Sequence, residues 1–122
     1  MTTPTHVAPN ARAGLASFDA YVVALRFYRE VVAACRDLRG NAVDHLLDAA
    51  ESVVLDVAEG HPAIGAERAR KFRIAAGEAS ECAAALDLLK VQGALAEVVL
   101  SQLRTLLDRE LAMLFRLGHR RR

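Results

Sequence analysis

Between Val43 and Leu86 apolar residues return at steps of three and four, with one interruption at Gly60-His61-Pro62. That spacing keeps one side of a helix apolar. The interruption places a left-handed C-terminal residue at Gly60 and a residue that cannot continue the helix at Pro62. The stretch therefore predicts a helical hairpin, with Asp56-Val57-Ala58-Glu59-Gly60 closing one arm and a long run to Lys90 forming the other.

The same periodicity extends in both directions. Phe18, Tyr21, Val22, Leu25, Tyr28, Val32, Cys35 and Leu38 mark a first helix from about Ser17 or Asp19 to about Arg39, with Ser17 as its N-cap. Gly40-Asn41 breaks it. The second helix, about Ala42 to Glu59, turns Val43, Leu46, Leu47, Ala50, Val53, Val54 and Val57 inward. The third, about Ala66 to Val91, has an alanine-rich seam of Ala69, Phe72, Ala76, Ala79, Ala83 and Leu86, along which a neighbouring helix approaches closely. Gly77 inside it points either to such an approach or to a neutral surface position. Gln92-Gly93 is the next break. The fourth helix, about Leu95 to Leu117, faces Val99, Leu103, Leu106, Leu107, Met113, Leu114 and Leu117 inward, and Gly118 stops it. Four amphipathic helices on short connections predict an all-α, antiparallel up-down-up-down four-helix bundle over residues 17–118. Residues 1–16 read as a flexible leader and 119–122 as a basic tail.

Composition narrows function mainly by exclusion. Sixteen basic and fifteen acidic residues leave a net charge of +1, so a nucleic acid needs a local patch and not the whole surface. Aromatic residues make up 5% and tryptophan is absent, which leaves little to stack bases on. Cys35 and Cys82 fall inside helical runs and read as buried reduced thiols. The histidines are scattered and no Glu-x-x-His occurs, so no metal site or other cofactor is expected. No glycine-rich phosphate loop and no nucleophile beside a base point to an enzyme. No membrane span and no export signal are expected, which makes the cytoplasm the default.

Two polar features remain. Arg68, Arg70, Lys71 and Arg73 open the third helix, and either meet phosphates or form solvated ion pairs with Glu67 and acids of the second helix. His45, Asp48, Ser52, Asp56 and Glu59 form a polar stripe on the second helix. It faces solvent, a central channel, or basic residues of a neighbouring subunit. Phe27, Val31, Leu100 and Leu111 lie off or beside the main stripes, which predicts self-association.

The run Ala49-Ala50-x-Ser52-Val53-x-x-Asp56-Val57-Ala58-Glu59-Gly60, followed by Phe72-Arg73-Ile74-Ala75-x-Gly77-x-Ala79-x-Glu81, resembles the four-helix-bundle family encoded in intervening sequences of bacterial 23S rRNA genes. That family also takes in the accessory variability determinants of diversity-generating retroelements. The resemblance covers about Phe18 to Leu117. It implies a barrel-like homopentamer without catalytic activity, and in the retroelement branch binding to a reverse transcriptase and to RNA or DNA. Asp56, Glu59 and Glu81, with Ser52, then serve as polar residues fixing the second helix against the third or against a neighbour. Departures lie at Leu47-Asp48, where basic residues are usual, at Asp56 for Asn, and at Glu78 for Ser. They make this surface more acidic, so a protein–protein adaptor without nucleic-acid binding stands as the alternative.

Overall fold

A computed structural model describes residues 14–119. Most of the leader and Arg120 to Arg122 of the tail lie outside the described residues. After one helical turn at 14–16, four helices follow: α1 (Asp19–Ala34), α2 (Asn41–Gly60), α3 (Gly65–Val91) and α4 (Glu97–Gly118). Each packs on the next and α4 closes back on α1, so the bundle is an antiparallel square with α1 and α3 on one diagonal. The most extensive interface is the α2–α3 hairpin and the least extensive is α1–α4.

The end of the bundle that holds the hairpin turn is closed by rings. Phe18 lies 4.6 Å from His61 and 5.9 Å from Phe72, centroid to centroid. Phe72 is completely buried, as are Leu46, Val57, Leu86, Leu89 and Leu114. Burial of this kind, about 1.5–3 kcal/mol for each large side chain, is what holds helices of such moderate intrinsic stability together.

Four boundaries differ from the sequence reading. Ser17 does not cap α1: Phe18 occupies the cap position, and the Ser17 hydroxyl donates to the Gly14 carbonyl. Helix α1 ends at Ala34, five residues before Arg39, because the chain tightens. The Leu38 amide bonds to the Cys35 carbonyl, three residues back, and this turns Leu38 onto the core. At the other end of the hairpin arm, α3 stops where Gly93 takes a φ of 66°. The Gly93 amide bonds to the Lys90 carbonyl and the Ala94 amide to the Leu89 carbonyl, a Schellman cap that delays α4 to Glu97.

Gly60 is the fourth correction. It is helical, and the left-handed residue at this turn is Gly65, with φ 61°. What requires glycine at position 60 is proximity: a Cβ there would lie 3.1 Å from the Lys71 Cβ and 3.1 Å from the Phe72 ring. The Lys71 Cβ is fixed to the α3 backbone and cannot swing aside. Gly60→Ala is therefore expected to lower stability by about 1 kcal/mol, because overpacking of about 1–3 kcal/mol exceeds the helix-propensity gain of about 0.5–1 kcal/mol. A urea midpoint at or above that of the parent chain would show that α3 yields.

The apolar face of α1 is also rotated from expectation. Ala20, Val23, Ala24, Phe27, Val31 and Cys35 are buried, whereas Val22 and Leu25 are 44% and 38% exposed. Two rows of α1 fit steps of three and four. The row carrying Phe27 and Val31 faces inward, while Tyr21 and Tyr28 of the other row lie half-buried. Phe27, Val31 and Leu100, expected beside the main stripes, thus belong to the core of the single subunit. Gly77 is exposed, with nothing within 4 Å of an added Cβ.

Candidate functional site

The four cations of α3 sit on its first three turns, at the ring-closed end of the bundle. The guanidinium of Arg68 lies 4.8 Å over the Phe72 ring and 5.8 Å over the Phe18 ring. Arg70 grips Glu67 with two hydrogen bonds of 3.2 and 3.3 Å, and this pairing holds the exposed Glu67 carboxyl below its usual range. Lys71 donates to Glu59 at 2.8 Å, a link from α3 to α2 that raises the ammonium pKa. Arg73 donates to the Gly118 carbonyl at 2.9 Å, satisfying one of the orphan acceptors at the end of α4. Gly118 is close to obligatory here, since its Cβ would lie 2.8 Å from the Arg73 Cγ and 3.2 Å from the Arg73 amide nitrogen. Each of the four cations therefore has a partner inside the subunit.

The acids form a second group farther along the hairpin. Ser52 and Asp56 on α2 are half-buried, Glu59 is exposed, and on α3 Glu78 is half-buried and Glu81 exposed. Burial first, then Glu59, pushes the Asp56 carboxyl up, with Lys71 opposing. Burial first, then Glu81 and Asp56, pushes Glu78 up. These carboxylates crowd one another, and the cation that touches the group is Lys71 at its edge, already bound to Glu59. Of the stripe's other members, His45 and Asp48 are exposed.

Both thiols are buried and free. Burial, with Glu78 and Glu81 adding to it, pushes Cys82 up to about 12, which leaves it an inert thiol at neutral pH. No cluster of three or more His, Cys, Asp or Glu able to hold a metal occurs among the described residues. Among them, too, no helix is long and apolar enough to cross a membrane.

Sequence reasoning passed over Glu110. It is 1% exposed, and neither carboxylate oxygen has a hydrogen-bond partner. Burial pushes its carboxyl up to about 8, with Arg109 alone opposing. The signal was present in the spacing: Glu110 lies seven residues after Leu103, three after Leu107 and four before Leu114, all of them buried. An acid sits where the repeat calls for leucine.

Fold and site together define a small all-helical bundle whose prominent charges tie one helix to the next. The chain matches the family model for the 23S rRNA-intervening sequence protein over residues 17–116, and it belongs to that family. Comparison with curated proteins returns no match.

Proposed function

We propose that this chain is a non-catalytic, self-associating cytoplasmic scaffold that binds nucleic acid or an enzyme acting on it. An rRNA-associated role or an accessory role beside a reverse transcriptase fits the family, and the family resemblance favours a pentamer. The observation that carries self-association is the amount of large apolar surface left uncovered on α1 and α3. Val22, Leu25, Ile74, Leu88 and Val91 are between 38% and 86% exposed, more than scattered surface residues account for. Nucleic-acid contact falls to Arg68, Arg70, Lys71 and Arg73, four cations within six residues at one end of the bundle.

The adaptor reading has an observation of its own: each of those four cations already has an intrachain partner. Salt dependence separates the two. Arg70→Ala with Lys71→Ala removes exposed ion pairs and leaves the core intact, so stability changes little. If phosphates are contacted, the slope of log affinity against log salt, measured with a labelled single-stranded RNA and with a duplex, becomes shallower by about 1–2. Absence of binding at low salt by the parent chain is the outcome that favours the adaptor instead.

A further inference from the structure

Helix α3 is apolar on two sides. Its inner side carries Phe72, Ala75, Ala79, Cys82, Leu86 and Leu89, all buried. Its outer side carries Ile74, Gly77, Glu81, Ala84, Leu88 and Val91, every one exposed and each three or four residues from the next. Helix α3 thus carries apolar residues on two sides, of which this subunit covers one, and Gly77 and Ala84 leave room for another helix to come close. On the opposite corner of the square, the outer side of α1 carries Val22, Leu25, Arg29 and Ala33, again all exposed at steps of three and four, and Arg36 lies exposed in the turn just past its end. Among the described residues neither Arg29 nor Arg36 makes an ion pair, whereas Arg26 is held by Glu30.

The two stripes complement each other in charge. Glu81 lies within the α3 stripe and Asp56 and Glu78 beside it; the three crowd one another and lack enough cations. Arg29 within the α1 stripe and Arg36 just past its end lack anions. The stripes also point away from each other, because α1 and α3 are diagonal, so one subunit cannot join its own two stripes.

We propose that the outer stripe of α1 on one copy of this chain docks on the outer stripe of α3 on the next. Arg29 then reaches the Asp56–Glu78–Glu81 group, and Val22 and Leu25 cover apolar positions of α3. The contact is heterologous: every copy offers one surface and receives the other, which builds a closed ring or a filament and not an isolated two-fold dimer. This rests on the self-association proposed above and names its two surfaces.

Two variants of the full chain test it by light scattering and sedimentation. Leu25→Glu with Arg29→Glu blocks the α1 stripe, and Ala84→Glu with Leu88→Glu blocks the α3 stripe; all four positions are exposed, and circular dichroism checks that helix content is kept. Each variant alone is expected to lose self-association by at least about tenfold in affinity. Mixed, they are expected to form a one-to-one dimer and nothing larger, since each still has the surface the other needs. Variants that assemble like the parent, or a mixture that stays monomeric, overturn the surface assignment and leave self-association standing. A parent chain that is monomeric at micromolar concentration overturns both.

Discussion

Replacing Glu110 by leucine is expected to stabilise the bundle, and by more as pH rises. Both carboxylate oxygens of Glu110 are buried without partners, at a position flanked by Leu103, Leu107 and Leu114. Even protonated, the group loses hydrogen bonds to water on folding, a penalty of about 1–3 kcal/mol. Its carboxyl is held at about 8 in the folded chain against 4.5 for the free side chain. Below the lower value both states are protonated and no further cost arises. Between the two values the unfolded chain gives up its proton and the folded chain keeps it, so stability falls as pH rises. Above the upper value the loss is complete and the curve flattens. At about 1.4 kcal/mol for each pH unit, the loss is on the order of 5 kcal/mol. Urea midpoints of the parent and Glu110→Leu, taken from pH 5 to pH 9, should therefore diverge. Glu110→Gln should remove the slope while keeping the buried polar penalty. Asp56 and Glu78 also have raised carboxyls, but they are common to all three chains and cancel in the comparison. Parallel curves would mean that Glu110 does not titrate from a buried position.

The other large effect is expected from Phe72→Ala. The ring has no exposed area and fills the end of the bundle beneath Phe18 and against Gly60. Emptying that space is expected to cost about 3–5 kcal/mol. The loss should appear as a lower urea midpoint at an unchanged denaturant slope, because the exposed area of the unfolded chain hardly changes. Arg68→Ala removes only the cation lying over the same ring, at 4.8 Å, and is expected to cost no more than about 1 kcal/mol. A similar, small cost for both substitutions would show that α1 and α2 collapse into the gap, so that the tight approach at Gly60 does not define the hairpin.

Much of the candidate site was visible in the residue order, but not its wiring. Arg68, Arg70, Lys71 and Arg73 are adjacent in the chain, so a charge scan finds them. Glu67 and an acid of the second helix, here Glu59, were legible as partners, whereas Phe18 and Gly118 come from other segments, and nothing local announces them. Glu110 shows the converse: its place in the leucine repeat was readable, but a single acid within a helix is ordinary until the repeat is weighed against it.

The sequence alone determined four helices, their order, and the breaks at Gly40, Gly60 to Gly65 and Gly93. Periodicity and turn chemistry are local, and each break sits where backbone freedom or a missing amide demands it. Only the tertiary structure decided which of two equivalent rows of α1 faces inward, why position 60 must be glycine, and which charges are already paired. Those outcomes depend on how closely one helix can approach another. Approach is set by the volumes of side chains far apart in the chain, and a pattern read along a single helix does not contain them.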